Sequence, residues 1–227
     1  MVKLSIIVPA LDEAERIGAS LRALGPLQAR GHEVIVVDGG SRDATVTIAG
    51  KHASRVIVSW RGRATQMHAG AAAATGDVLV FLHADNRLPP GADRLVLDGL
   101  ASSGRAWGRF DVAIDGESRW LRLIAWFMNR RSRLSGIATG DQAMFVRREA
   151  YEWVGGFPDI ALMEDIALCV RLKRVSRPLC LAAKTQTSGR RWERNGVFRT
   201  VFLMWRLRLA YFFGAAPERL HRIYEGA

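Results

Sequence analysis

Three places in the chain bring acidic side chains to positions suited to chemistry. An apolar run at residues 78–82 ends in His83, Ala84 and Asp85; a second run at 33–37 ends in Asp38-Gly39-Gly40-Ser41. Further on, Glu164 and Asp165 stand side by side before an amphipathic stretch. Residues 78–82 show no polar alternation, so they read as a strand covered on both faces, the centre of a parallel sheet. Ligands in open α/β sheets sit just beyond the carboxyl ends of such strands. In extended backbone the side chains of His83 and Asp85 leave on the same side. A carboxylate there can hold a hard cation that also touches nucleotide phosphates. An ordinary polar strand end turning into a loop gives the same local pattern. Pro89 and Pro90 forbid helical continuation after it.

The elements that must position these groups follow from periodicity. Residues 4–8 form a first strand, stopped by Pro9. Asp12 is expected to cap the next helix, with Glu15 completing a capping box. Ile17, Leu21 and Leu24 give that helix its apolar stripe, and Gly25-Pro26 closes it. Residues 33–37 are the second strand, Asp43 caps a helix over 44–52, and 55–59 are the third strand. A helix over 62–74 leads into the strand at 78–82. Strands alternating with helices of this length imply right-handed βαβ units. Asp38 and Asp85 then share one edge of the sheet.

Beyond residue 100 the pattern changes. Residues 105–114 read as a strand and 118–131 as a helix rich in tryptophan and arginine. Residues 139–146 read as a loop entering a short strand, and Gly155-Gly156-Phe157-Pro158 as a tight turn. Residues 163–174 make an amphipathic helix, 179–183 a strand and 188–192 a basic loop. The segment 197–213 is strongly apolar but holds Arg199, Arg206 and Arg208 within 17 residues, too short and too charged for a membrane span. Arg206 and Arg208 point to nearly opposite sides of such a helix, so packing on the domain is favoured over an interfacial role. With no internal repeat, the chain reads as a single domain.

The 227 residues carry a net charge of +11, and 29 of the 33 basic residues are arginine. That surface suits anionic partners: nucleotide phosphates, nucleic acid or a membrane leaflet. A hydrophobic content of 49% supports a core of useful size, with no need of a staple. Cys169 and Cys180 have no metal-ligand spacing and read as reduced thiols. The apolar run at the start is too short for a signal peptide, so a cytoplasmic protein is expected, with contact at the inner membrane face as a variant.

Five segments together carry a resemblance: Ile7-Val8-Pro9-Ala10-Leu11-Asp12-Glu13, Val36-Val37-Asp38-Gly39-Gly40-Ser41, His83-Ala84-Asp85, Gly155-Gly156-Phe157 and Met163-Glu164-Asp165. In this order and spacing the chain resembles the family 2 glycosyltransferases. Residues 136–145 and Ser188-Gly189-Arg190-Arg191-Trp192 are similar to a small bacterial subgroup associated by name with arsenosugar biosynthesis. The resemblance implies an α/β fold of the GT-A type: a mostly parallel central sheet flanked by helices, with a helical C-terminal appendage. A nucleotide-binding half (1–100), an acceptor and catalytic half (101–196) and C-terminal helices (197–227) follow from it.

It also implies inverting transfer of a sugar from a nucleoside-diphosphate donor, of the UDP or GDP type, to the hydroxyl of a small-molecule or lipid-linked acceptor. On this resemblance Pro9, Ala10 and Leu11 frame the base, Asp12 or Glu13 orients it or the ribose, and Asp38 accepts its hydrogen bonds beside Gly40. Ala84 and Asp85 face the diphosphate, Asp85 binding Mn²⁺ or Mg²⁺. Arg63 suits direct phosphate contact, because a guanidinium binds phosphate in bidentate fashion. The family's usual Asp-x-Asp has histidine at position 83, which leaves one sure carboxylate ligand and makes His83 either a second ligand or a plain strand-end residue. Asp165, beside Glu164, is the implied catalytic base. Gly140, Asp141, Arg190, Arg191 and Trp192 are implied for the acceptor side or a loop over the donor. Position 188, where the comparable motif of processive relatives has its leading glutamine, is serine, so polymer synthesis is not implied.

Other readings fare worse. A sugar-1-phosphate nucleotidyltransferase calls for a glycine-rich loop after the first strand, where this chain has Pro-Ala-Leu-Asp-Glu. A dinucleotide-dependent oxidoreductase lacks its Gly-x-Gly-x-x-Gly. A non-catalytic nucleic-acid-binding protein is prompted by the charge, but the basic residues are dispersed, and no specific nucleic-acid partner is expected.

Overall fold

The computed structural model describes residues 2–226, apart from the side chains of Arg191 and Glu225. Seven strands form one sheet: β1 (Leu4–Ala10), β2 (Glu33–Asp38), β3 (Arg55–Val58), β4 (Val78–Phe81), β5 (Trp107–Asp115), β6 (Met144–Arg147) and β7 (Leu179–Ser188). Their order is β3-β2-β1-β4-β6-β5-β7. Only β6 runs against its neighbours, antiparallel to both β4 and β5. The flanking helices are α1 (Ala14–Ala23), α2 (Gly25–Ala29), α3 (Thr45–Ala49), α4 (Arg63–Ala73), α5 (Ala92–Ser103), α6 (Trp120–Ser135), α7 (Arg148–Trp153) and α8 (Glu164–Leu172). Then come α9 (Arg190–Asn195), α10 (Val197–Phe212) and α11 (Pro217–Glu225).

The apolar runs lack polar alternation because both faces of the sheet are covered. Leu4, Ile6 and Val8 of β1 pack with Ile17, Leu21, Val96 and Leu100 on one side. Ile7, Ile35, Leu79 and Phe81 pack with Met67, Leu168 and Leu172 on the other. This is the α/β architecture expected, a mostly parallel sheet between helices with a helical C-terminal appendage.

Several local expectations are corrected. The strand before His83 ends at Phe81, and the Asn86 N–H donates to the His83 carbonyl at 3.0 Å. Residues 83–86 are thus a turn, and the extended-backbone argument for His83 and Asp85 does not apply. Pro89 and Pro90 admit no helix after the strand, as expected, but a helix not foreseen, α5, begins directly after Gly91, at φ +68°. Gly25 and Pro26 begin α2, where a proline in the first turn loses no helical hydrogen bond. The basic loop at 188–192 is the end of β7 and the start of α9. Asp12 forms no capping box, since its φ of +52° takes it out of that geometry. The first N–H groups of α1 donate across the chain instead, Glu13 N to Thr45 Oγ1 at 2.8 Å and Ala14 N to Asp43 Oδ2 at 3.0 Å. Asp43 also accepts from Thr45 N at 2.9 Å, but α3 has Ala44 at its N-cap with no side-chain cap and ends at Ala49, so the expected Asp43-capped helix over 44–52 is not formed. Asp12 accepts from Arg42 N at 2.8 Å, and Ser41 Oγ accepts from Asp12 N. The loops after β1 and β2 are therefore tied to each other.

A buried ion cluster ties α5 to the strands. Asp93 is 3% exposed. It accepts from Arg30 Nε at 2.6 Å and Nη2 at 3.0 Å. His32 Nδ1 accepts the Leu4 N–H and its Nε2 lies 3.2 Å from Asp93, so one neutral tautomer satisfies both bonds. Burial acts to raise the Asp93 carboxyl, but the Arg30 hydrogen bonds and their allies bring it down to about 2. Its folded value lies below its unfolded one. The contribution is full above the ordinary value of 3.8 and is lost as pH falls towards about 2. Asp93→Ala is expected to lower unfolding free energy by about 2 kcal/mol at neutral pH. Urea titrations across the acid range should show a flatter pH dependence for the variant.

Candidate active site

The carboxyl edge of β1, β2 and β4 forms the first wall. Pro9 and Ala10 lie in register with Val37 and Asp38. Asp38 is buried, and its Oδ2 accepts from Gly40 N at 2.8 Å and Ser41 N at 2.9 Å while Oδ1 takes the Ser41 hydroxyl. Gly40, at φ +92°, makes that turn possible. The carboxylate expected to meet a base thus shapes its own loop here. Gln66, a buried residue of α4, donates from Nε2 to the carbonyls of Ala10 (2.9 Å) and Val37 (2.8 Å), fastening the two strand ends. Leu11 and Glu13 are half-buried on this wall and Asp12 is exposed. The Glu13 carboxyl is raised, chiefly by burial and then by Asp85 and Asp43, against Arg16 and Arg190. Glu13, Asp85 and Arg190 therefore face one neighbourhood, although they belong to three separate segments.

The second wall centres on residues 140–142, a 3₁₀ turn that the reversed β6 brings to the same edge, since Met144 pairs with Phe81. A Cβ on Gly140 would overlap the His83 ring. The Gly140 N–H donates to Asp165 Oδ2 at 3.2 Å, and Asp165 Oδ1 accepts its own helix's Ile166 N–H at 2.7 Å. His83 Nδ1 lies 3.7 Å from Asp141 Oδ1, and Thr187 Oγ1 donates to that oxygen at 3.4 Å. Against burial, His83 first and then Arg63 and Thr187 hold the Asp141 carboxyl below its usual range. Asn86, buried beneath, donates to the Asp141 carbonyl at 3.2 Å. Gln142 is wholly buried and donates to Asn129 Oδ1 at 3.3 Å, fixing the turn to α6. Gln66, Asn86, Asn129 and Thr187 lie outside the matching segments, and Gln142 was given no role within its own, so only their contacts reveal them.

Glu164 and Asp165 open α8 after Met163, a non-glycine residue at φ +73°. Backbone strain of this kind concentrates at functional sites. Glu164 is 3% exposed and Arg63 Nη1 lies 3.5 Å from its Oε1. Burial, and then the Asp165 charge, push the Glu164 carboxyl up against the pull of Arg63. Burial works against the Arg63 charge, yet Glu164, with Tyr224, Asp165 and Asp141, leaves it more firmly protonated than usual. His83, Gly140, Phe157, Glu164 and Asp165 line a cavity of about 10 Å³, room for about one water. The structure thus gathers His83, Gly140, Asp141, Glu164, Asp165 and Arg63. Trp192 stands apart, beside an open depression of about 510 Å³ bounded by Glu117, Ser118, Glu193 and Val197. The Arg191 side chain lies outside the described residues.

No group of three or more His, Cys, Asp or Glu side chains among the described residues is arranged to hold a metal. The donor set still fits one shared with a phosphate ligand. Asp85 is half-buried, takes no hydrogen bond among the described residues and feels Glu13. Mg²⁺ commonly binds through one or two carboxylates plus substrate phosphates. His83 is directed elsewhere, its Nδ1 at Asp141 and its buried Nε2 without a partner among the described residues.

A parallel sheet with one reversed strand and acids collected at its carboxyl edge defines a GT-A type of architecture. The chain belongs to glycosyl transferase family 2, whose pattern matches residues 5–154. It is 34% identical over 88 residues to an uncharacterized glycosyltransferase of Mycobacterium tuberculosis, covering 38% of each chain. It is 30% identical over 165 residues to the undecaprenyl-phosphate 4-deoxy-4-formamido-L-arabinose transferase of an Enterobacter species, covering 64% of this chain and 48% of that one. The chain thus spans less than half the length of these relatives. Among solved structures, S. aureus TarS 1–349 in complex with UDP-GlcNAc superposes with a TM-score of 0.66 at 17% identity, over 82% of this chain and 58% of that one. A mannosyltransferase from Pyrobaculum calidifontis in complex with GDP-Man and Mn²⁺ gives 0.63 at 21%, over 91% and 60%.

Two substitutions probe the second wall. Gly140→Ala is expected to displace His83 and to cost about 1–3 kcal/mol by overpacking, read as a lower midpoint in urea. Glu164→Gln should do the reverse. A carboxyl raised on folding penalises the native state above its raised value, and the penalty vanishes below the unfolded value near 4.5. The Gln variant should melt higher than the parent in mildly alkaline buffer, with the gap closing as the buffer is acidified.

Proposed function

We propose that this chain transfers a sugar from a nucleoside-diphosphate donor of the UDP or GDP type to an acceptor hydroxyl, inverting the anomeric centre, with Asp165 as general base. The observation that carries the reading is the Asp165 carboxylate, aimed by two backbone N–H groups into the cavity it shares with His83 and Glu164. The UDP-GlcNAc and GDP-Man complexes of the neighbouring structures support the donor class.

The acceptor hydroxyl must shed its proton as it attacks, and a carboxylate within hydrogen-bond reach takes it. Gly140 and Ile166 fix the direction of that carboxylate. The first wall, Pro9 to Glu13 with Asp38 and Gly40, receives the nucleoside, while Arg63 and Arg190 bring positive charge towards the phosphates. Asp85 would hold Mn²⁺ or Mg²⁺, which when bound neutralises charge growing on the leaving diphosphate. His83 is assigned to steadying Asp141, and Gly140, Asp141 and Trp192 to the acceptor side. The acceptor is a small molecule or is lipid-linked, as the name of the undecaprenyl-phosphate transferase suggests. Residues 136–145 and 188–192 resemble those of the subgroup associated by name with arsenosugar biosynthesis, and the proposal extends to membership of it.

Asp165→Asn is expected to lower turnover about 10²–10⁴-fold, as loss of a general base does, while nucleoside diphosphate with Mn²⁺ still raises the melting temperature. Asp85→Asn should abolish the metal-dependent part of that thermal shift. Near-normal turnover in the Asp165→Asn variant would overturn the base assignment.

A further inference from the structure

The outer sides of α6 and α10 form one exposed apolar face. On α10 the large residues Phe198, Phe202, Trp205, Leu209 and Phe212 recur at steps of four, three, four and three, so they lie on one side of the helix. Each is between 60% and 81% exposed. Thr200 and Leu207, on the opposite side, are buried against the domain. The face continues onto α6, where Trp120 meets Phe198 edge-on with ring centroids 5.3 Å apart. Trp126 and Phe127 are exposed beyond it. Contiguous apolar surface of this sort marks an interaction site, unlike singly scattered residues.

Charge identifies the occupant. Neither α6 nor α10 contains an aspartate or a glutamate, while Arg122, Arg130, Arg199 and Arg206 are exposed on these helices. Arg130 lies over the Trp126 ring at 5.7 Å. A second copy docked here would bring arginines against arginines with no acid on either helix to pair them. Lipid phosphates pair them, and tryptophan with arginine is the composition that settles at a bilayer interface. No helix among the described residues is long and apolar enough to cross a membrane. The same two helices reach the site from within. Arg131 of α6 and Arg208 of α10 are largely buried near Asp165, and Arg131 Nε and Nη2 and Arg208 Nε have no partner among the described residues.

We propose that the outer face of α6 and α10 docks on an anionic phospholipid surface, so that the acceptor reaches Asp165 from the bilayer side. The route to Asp165 rests on the base assignment above; the docking does not.

Co-sedimentation of the full chain with phosphatidylglycerol–phosphatidylcholine vesicles, against phosphatidylcholine alone, tests it. The chain should pellet with the anionic vesicles, with a blue-shifted tryptophan emission, and release as salt is raised. The double substitution Phe202→Ser with Trp205→Ser should cut the bound fraction about tenfold at an unchanged melting temperature. Arg199→Gln with Arg206→Gln should erase the preference for anionic vesicles. A parent chain that stays in the supernatant with every vesicle overturns the proposal. So does a dimer in sedimentation velocity that the double serine substitution splits while vesicles capture neither protein. A nucleoside-diphosphate thermal shift run in parallel separates the two readings. Its failure counts against the donor assignment, and vesicle binding alone decides the surface.

Discussion

The backbone of residue 140 passes so close to the His83 ring that no side chain fits between them. From that approach the site takes its form. The N–H of residue 140 reaches the Asp165 carboxylate, and Asn86 holds the carbonyl of its neighbour Asp141. The close pass exists because β6 runs against the rest of the sheet and so delivers its leading turn to the edge where β4 ends. A seventh parallel strand in that place would begin at the far edge, and the acids of α8 would have no backbone donor across from them.

Around this contact, charge is distributed in layers. Glu164 and Asp165 are adjacent, and burial makes their like charges costly. Arg63 answers from the start of α4, held 3.5 Å from Glu164. Arg131 and Arg208 lie near Asp165 with no ion pair among the described residues, and desolvation and mutual repulsion lower Arg131 to about 10. The cleft therefore carries both signs at short range and leaves part of each unneutralised. A ligand with separated negative and hydroxyl functions can be oriented by such a field.

Much of this architecture could be read from residue order, for a physical reason. Strands buried on both faces write themselves as unbroken apolar runs, so β1, β2 and β4, with Asp38 closing β2 and Asp85 beyond β4, were legible from the order of residues. What escaped is what depends on distant partners. The reversal of β6 is a matter of pairing and leaves no mark in Met144–Arg147. α5 escaped because two prolines restrict their own turn but not the helix begun at Gly91. The basic run at 188–192 looked like a loop because its charges hid a short helix. His83 and Asp85 looked parallel in direction because a turn from 83 to 86 cannot be told from an extended strand end. The apolarity of α10 was plain, yet nothing in its spelling said which of its sides would find no cover.

The bonds that join the loops after β1 and β2 have a thermodynamic corollary. The side chains of Ser41, Thr45 and Asp43 accept from the backbone N–H groups of Asp12, Glu13 and Ala14, and the Asp12 carboxylate accepts from Arg42 N, all across some thirty positions of chain. Neither loop can open alone without stranding donors in the other. Their amides should thus share one protection level in native-state hydrogen exchange, a single opening unit in place of two frayed tips. The nucleoside wall would then be present as a whole or lost as a whole.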